Sequence, residues 1–505
     1  MKLSQLTERY ACHLLRGSLE TKISDVVFDS RKAGPGTVFI AINGFRTDSH
    51  KFLKQVAEKG ASAVVIEKDW EELPEETREA LITGGQTVLK AADGREALAY
   101  LSAALFGYPT EELTVIGITG TKGKTTTSYM LAAILEEAGY KTGLIGTNEI
   151  RTGKRVFASH NTTPEPYDTQ CFAREMVEAG CRCLVMEVSS TGIKYHRADA
   201  IDFDLGIFTN ISPDHIGTLE HPDFADYLAN KAKLFSRCRV GLFNRDDEKL
   251  PEFLAKASCQ INTFGIRNLN PSPYPDFSAS DLKFKKRDGV LGTEAVFRGP
   301  EESFDVFVGM PGDFNVANAL GAAAAARLLG IRPEAIRKAL AKIRVTARVE
   351  VLYSSDFATV MLDYAHNGVS ATALFTMLRD YDPGRIVVIF GSEGGRAQVR
   401  RQEMGEVCGK LADFCILSSQ NPDFEPIEDI FRDIHVYLDP TGTPAVDIAD
   451  RREAIRYALR NAQKGDFIAV IGKGQEDYEL VKGVRYPWSD RDEIEAALKE
   501  LGWKE

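Results

Sequence analysis

The chain has 505 residues, 44% apolar and 27% charged, an ordinary globular composition that excludes a fibrous or disordered protein. At ~150 residues per domain, this length implies about three domains, each able to bury a core. Lys+Arg number 62 and Asp+Glu 73, a net charge of −11, so a general nucleic-acid or anionic-membrane binder is excluded and a site for an anionic substrate has to be built locally.

Short β-branched runs alternate with Ala/Leu-rich helical patterns from end to end, which predicts α/β units with parallel sheets. Three blocks are expected. Residues 1–107 carry strands over 26–28, 38–41 and 63–66. Residues 108–342 open with a strand over 115–118 and close with a helix over 315–329, stopped by Gly330. The polar stretch 268–289 inside this block reads as hairpins or a surface excursion. Residues 343–505 carry strands over 360–362, 386–390, 415–417 and 467–471. The eight cysteines are scattered without a C-x-x-C pair, which predicts free thiols in a reducing compartment. With no N-terminal signal core and no run of about 18 apolar residues, a cytoplasmic protein without membrane insertion is expected.

The central strand runs into Gly120, Thr121, Lys122, Gly123, Lys124, Thr125, Thr126 and Thr127, and Met130, Leu131, Ile134 and Leu135 then recur at helical spacing. Glycines let backbone N–H groups face a phosphate, while the helix N-terminus and the Lys124 ammonium supply positive potential. The Thr125 hydroxyl suits a magnesium ion. Ile118 stands where the general G-x-x-x-x-G-K-[ST] pattern has Gly. A glycine-rich turn that merely caps a helix is the alternative; strand before, helix after and Gly-Lys-Thr in place favour a nucleotide loop.

This loop resembles that of the Mur ligases, and the resemblance extends over essentially the whole chain. It is carried by DSRKAGPGTVFIAINGFRTDSH from Asp29, HNTTPEP from His160, MEVSSTGIKYHR from Met186, TNISPDH from Thr209, GDFNVAN from Gly312, DYAHN from Asp363 and IGKGQEDY from Ile471. The family implies a three-domain α/β fold: an N-terminal UDP-docking domain, a central P-loop parallel-sheet ATPase domain and a C-terminal Rossmann-like domain. It also implies an ATP-dependent ligase of peptidoglycan precursor synthesis, adding an amino acid to UDP-MurNAc-L-Ala-D-Glu through an acyl phosphate. Only small-molecule substrates and a monomer are expected.

By the same resemblance, Ser30, Arg31, His160, Asn161, Thr162, Thr163, Ser189 and Arg197 hold the UDP-MurNAc-dipeptide. Residues Gly120 to Thr126, with Asn315, Asn318, Arg348, Asp363 and His366, hold ATP. Thr125, Glu187, His215 and Lys231, the last as a carbamate (N6-carboxylysine), ligate Mg2+. Lys124, Lys231, Glu187 and His215 form the catalytic set. Arg396, Gln420, Asn421, Asp423, Gly472 and Glu476 hold the incoming amino acid.

The third block departs from the family pattern. Members that select meso-diaminopimelate carry D-N-P-R, whose arginine pairs with a distal carboxylate; here the string is Gln420, Asn421, Pro422, Asp423. An acid at that point favours an ammonium, so L-lysine is the expected third substrate. A diverged ligase with another acceptor, and a meso-diaminopimelate ligase, are the alternatives; a nucleotide-binding scaffold is the non-enzymatic one. Gln475 replaces the usual His, Gly368 replaces a Pro, and the loop Gly394, Gly395, Arg396, Ala397, Gln398 lacks the family's acids.

Overall fold

The computed structural model describes residues 1–504 except 45–46, 215, 218–219, 267–274, 288, 347 and 396–397. Two compact units result, one of Met1–Phe277 with Gly321–Ala335 and one of Ser278–Leu320 with Ile336–Glu505.

The first unit contains two sheets. β1 (His13–Arg16), β2 (Asp25–Val27), β3 (Thr37–Ile40), β4 (Ala63–Ile66) and β5 (Thr87–Lys90) form a sheet in the order β1-β5-β4-β3-β2. All neighbours are parallel except β1 with β5. β3 and β4 read TVFI and AVVI and are buried throughout, as expected of parallel strands covered on both faces.

The strands of the central sheet that lie in this unit are β6 (Thr114–Thr119), β7 (Thr142–Ile145), β8 (Glu149–Arg151), β9 (Val156–Ala158), β10 (Cys183–Glu187), β11 (Phe203–Phe208), β12 (Cys238–Asn244) and β13 (Gln260–Ile266). They run in the order β13-β12-β11-β6-β10-β7-β8-β9, with β8 and β9 antiparallel and the rest parallel. β6 therefore sits between β10 and β11, so three consecutive loops share its carboxyl end, where ligands collect in open parallel sheets.

The N-terminal sheet's block does not stand apart from this core. Arg174 on the helix Pro166–Glu178 donates to Phe106 O and Gly107 O at 2.9 and 3.1 Å, and Arg95 lies 5.1 Å over the Tyr195 ring.

In the second unit β14 (Phe277–Arg287), β15 (Val290–Arg298) and β16 (Ser303–Val308) make an antiparallel meander, within the region where the polar stretch predicted hairpins. It packs beside the helix Gly368–Arg379: Tyr381 OH donates to Gly292 O at 3.0 Å, and Leu291 enters the apolar cluster around Phe375. This packing groups the meander with the C-terminal residues, a division different from the expected block 108–342.

β17 (Glu350–Ser354), β18 (Ala358–Asp363), β19 (Arg385–Phe390), β20 (Phe414–Leu417), β21 (Ala445–Asp447) and β22 (Asp466–Ile471) form a sheet ordered β17-β18-β22-β19-β20-β21. Only β17 is antiparallel. A hairpin of β23 (Tyr478–Val481) and β24 (Val484–Pro487) follows.

The expected strands are all present, with ends shifted by one or two residues. All eight cysteines are free, and Cys181 lies just outside β10. No helix among the described residues is long and apolar enough to cross a membrane.

Candidate active site

The loop after β6 is held from below by its neighbours. Thr121 N–H donates to Asn210 O at 2.8 Å, Lys122 N–H to Asn210 Oδ1 at 2.9 Å, and Thr209 Oγ1 to Lys122 O at 2.7 Å. Gly123, at φ +83°, precedes the helix Lys124–Glu137 in the left-handed region that glycine adopts without penalty. Two lysines converge on one carbonyl: Lys124 Nζ and Lys231 Nζ each donate to Gly120 O at 2.8 Å.

Lys231 comes from the helix Phe224–Ala232, whose Asp223 caps it by accepting from Asp226 N–H. Lys231 is 2% exposed. Burial, reinforced by the Lys124 charge, pushes its amine well below the ordinary lysine range. Tyr227, one turn earlier, lies within 3.0 Å of Thr121 Oγ1 through its hydroxyl, so this helix touches the loop twice.

Glu187 ends β10 with a fully buried side chain. Its Oε2 accepts from Thr125 Oγ1 and Thr147 Oγ1, both at 3.0 Å, and its Oε1 accepts from Thr147 N–H at 2.9 Å. Thr147 Oγ1 is also 3.0 Å from Thr162 Oγ1. Thr163 Oγ1 donates to Glu187 O and accepts from Ser189 N–H, each at 3.0 Å, and Arg197 Nη1 donates to Thr163 O at 3.1 Å. Thr125, Glu187, Thr162, Thr163, Ser189 and Arg197 thus lie in one hydrogen-bonded chain. Hydroxyls and a carboxylate are the hard oxygen donors that magnesium prefers, and one or two carboxylates suffice for it. No group of three or more His, Cys, Asp or Glu able to hold a metal occurs among the described residues. His215 lies outside them.

The other residues expected to hold the dipeptide substrate are more open. His160 and Asn161 are exposed. The Arg31 guanidinium grips Asp29, with Nη2 to Oδ2 at 2.7 Å, and holds that carboxyl down at about 2; Lys59 Nζ donates to Ser30 O at 2.8 Å.

In the second unit, Asn315 is buried and donates to Pro311 O at 2.7 Å, with Asn318 Nδ2 3.4 Å from its Oδ1. Asp363, ending β18, accepts from Val349 N–H and Ala365 N–H, both at 2.7 Å. Arg348 lies 5.4 Å over the Tyr364 ring, and the His366 ring meets the same tyrosine edge-on.

The loops after β20 and β22 enclose a buried ammonium. Lys473 Nζ donates to Asn421 Oδ1 at 2.9 Å and Tyr478 O at 2.7 Å, and pairs with Glu479 at 2.7 Å and Glu476 at 3.4 Å. Asn421 Nδ2 donates to Glu476 Oε2 at 2.8 Å; burial nevertheless raises the Glu476 carboxyl above its usual value. Gln420 lies so close over Gly472, which sits at φ +106°, that any Cβ there would strike its amide. Arg396 lies outside the described residues.

Beneath these loops Arg451 clamps Asp490 with two hydrogen bonds of 2.8 and 2.7 Å and donates to Ile471 O and Ser419 O, the carbonyls just before Gly472 and Gln420. Both partners are buried. Arg451→Met is therefore expected to destabilise the protein by about 3–5 kcal/mol, and Arg451→Met with Asp490→Leu by much less, because the cost lies in the stranded charge. Thermal melts of both variants check this; equal melting temperatures would contradict it.

Three family models match in chain order: the Mur ligase family, catalytic domain, over residues 22–105; the Mur ligase middle domain over 118–326; and the Mur ligase, glutamate ligase domain over 347–474. The UDP-N-acetylmuramoyl-L-alanyl-D-glutamate--2,6-diaminopimelate ligase of Caldanaerobacter subterraneus subsp. tengcongensis is 37% identical across 97% of both chains. The chain belongs to the Mur ligase family. It is an ATP-dependent, amide-forming ligase.

A second relative of this ligase, the 2,6-diaminopimelate ligase 2 of Clostridium acetobutylicum, is 34% identical over 99% of this chain and 100% of its own. A solved structure of a 2,6-diaminopimelate ligase shares the fold, at 23% identity, 99% coverage of each chain and a TM-score of 0.71.

The two sequence relatives are named as 2,6-diaminopimelate ligases, the alternative given above rather than the lysine expected from Asp423. The ligase's own geometry removes the basis of that expectation. Asp423, at φ +52°, donates through N–H to Leu480 O at 3.0 Å and accepts from Gly483 N–H on Oδ1 at 2.7 Å. Its carboxylate braces the β23–β24 turn.

Sequence reasoning also missed Thr147, Asn210, Tyr227 and Lys473. Asn210 and Lys473 stood inside the matched strings; Thr147 and Tyr227 carried no spacing signal.

Proposed function

We propose that this ligase joins 2,6-diaminopimelate to the D-glutamate carboxylate of UDP-MurNAc-L-Ala-D-Glu, in peptidoglycan precursor synthesis, acting as a cytoplasmic monomer on small-molecule substrates. Its domains are residues 1–107, 108–342 and 343–505. One observation carries the reading: the hydrogen-bonded chain from Thr125 through Glu187, Thr147 and Thr162, which puts phosphate-side and peptide-side groups next to one another. Phosphoryl transfer between two bound anions requires that adjacency.

A carboxylate does not condense with an amine directly, because oxide would have to leave. The γ-phosphoryl group passes from ATP to a glutamate oxygen, giving an acyl phosphate and ADP. The amine then attacks the carbonyl carbon, phosphate leaves with the former carboxylate oxygen, and the amine's proton goes to solvent. Loop N–H groups and Lys124 neutralise charge as the phosphoryl group moves. Ser30, Arg31, His160, Asn161, Thr163, Ser189 and Arg197 hold the UDP-sugar dipeptide, and Asn315, Asn318, Arg348, Asp363 and His366 the nucleotide. Thr125, Glu187, His215 and Lys231, as its carbamate, would hold Mg2+, which supplies further neutralisation at the phosphates. Lys231 fits that modification because burial disfavours its ammonium, and the neutral amine is the form that adds to carbon dioxide.

The test is phosphate release by the full-length protein with ATP, magnesium and the UDP-linked dipeptide, across diaminopimelate isomers, lysine and ornithine. Release that requires both dipeptide and diaminopimelate is expected. Release with lysine and none with diaminopimelate overturns the acceptor assignment, and release independent of the dipeptide overturns the whole reading.

A further inference from the structure

The loops following β18, β19, β20 and β22 surround a cavity of about 140 Å³, lined by His366, Ser392, Glu393, Arg400, Gln420 and Gly472 among others. At ~30 Å³ per water, it has room for roughly four or five waters. That admits the head of an amino acid.

Arg400 lies in the first turn of the helix Gln398–Leu411 and is half-buried. It has no hydrogen bond, ion pair or ring contact among the described residues. Its neighbour Arg401 shows the opposite behaviour: buried, it forms hydrogen bonds to both Glu425 oxygens and to Asp433, all at 2.7 Å. One guanidinium thus stabilises the fold while the adjacent one faces a polar cavity. Asp423 braces the β23–β24 turn, and among the described lining residues Arg400 is the basic side chain and Glu393 the carboxylate.

A wall carrying one cation and one acid matches a group with carboxylate and ammonium on the same carbon. The amine that attacks the acyl phosphate must be deprotonated and free, so a zwitterion gripped here is the opposite end of the acceptor. Lysine has only an ammonium at that end, which Arg400 repels. Diaminopimelate has both charges.

Resting on the reading under Proposed function, we infer that Arg400 is a specificity-determining residue that receives the distal carboxylate of diaminopimelate, with Glu393 facing the distal ammonium. An arginine grips a carboxylate through two parallel N–H donors.

The experiment compares wild type, Arg400→Met and Arg400→Lys as full-length proteins. Loss of a charge-assisted pair predicts a KM for diaminopimelate raised roughly 30-fold in Arg400→Met, with KM for ATP and for the UDP-linked dipeptide within about twofold. The ratio of kcat/KM for diaminopimelate to that for lysine falls by a similar factor, and Arg400→Lys recovers part of it. Should Arg400→Met not fold, Arg400→Lys carries the same comparison. An unchanged KM for diaminopimelate overturns the inference. So does an equal rise for diaminopimelate and lysine, which would put Arg400 on the α-carboxylate both share. If wild type uses lysine and rejects diaminopimelate, the acceptor reading fails instead, whatever the variants do.

Discussion

Lys124→Met is expected to lower dipeptide-dependent phosphate release by ~10³-fold, the scale for removing a charge aimed at a developing anion in a preorganised site. The melting temperature is expected to move by no more than a few degrees. Lys124 is at the first turn of its helix and donates to Gly120 O and Thr121 O at 2.8 and 3.1 Å. The loop keeps its other anchors, Asn210 and Thr209, without it. The Lys124 charge also helps suppress protonation of Lys231, so the variant raises the Lys231 pKa and favours its ammonium. A coupled phosphate assay and a thermal melt measure the two effects. Retention of more than a tenth of the activity would remove Lys124 from the phosphoryl-transfer step.

Lys231→Ala is expected to cost ~10²–10³-fold in turnover, with partial recovery on adding short carboxylic acids that fit the space left behind. The sign follows from the environment. Lys231 Nζ donates to Gly120 O, and its amine lies close enough to Lys124 for the second charge to lower its pKa. Burial and the Lys124 charge favour the neutral amine, the form that adds carbon dioxide, R–NH2 + CO2 giving R–NH–COO⁻ and a proton. The product converts repulsion by Lys124 into attraction. Stripping bicarbonate should lower wild-type activity reversibly. Full activity of Lys231→Ala, or no carboxylate rescue in an otherwise folded variant, would dismiss the modification.

The nucleotide end was legible in the sequence because its chemistry is local. Gly123, Lys124 and Thr125 are contiguous, and strand and helix on either side are apolar at the spacings those elements impose. The buried acid Glu187 was placed correctly at a strand end because a carboxylate after an apolar run has nowhere favourable to point except a polar crevice. The acceptor end was less legible for a physical reason. Asp423 was weighed by its charge, yet a carboxylate in the loop six residues past β20 can also cap a turn, and the turn at Gly483 lies 60 residues downstream. Likewise, the Lys473 cluster joins Asn421, Glu476 and Glu479 from two loops, a convergence with no periodicity to read. The meander of β14 to β16 was legible as hairpins or a surface excursion but not in its strand limits, because its strands alternate exposed and buried positions in a composition rich in Lys and Asp.

Thr147 is a single hydroxyl between two claimants. Its one proton goes to Glu187 Oε2, while Thr162 Oγ1 waits 3.0 Å away on the other side, and a hydroxyl has only one proton to give. A cation held by that Glu187 oxygen would compete with Thr147 for it, leaving the Thr147 proton to turn toward Thr162 Oγ1. The shared hydroxyl links the two ends, and any change that loading at one makes to binding at the other is matched in size in the reverse direction.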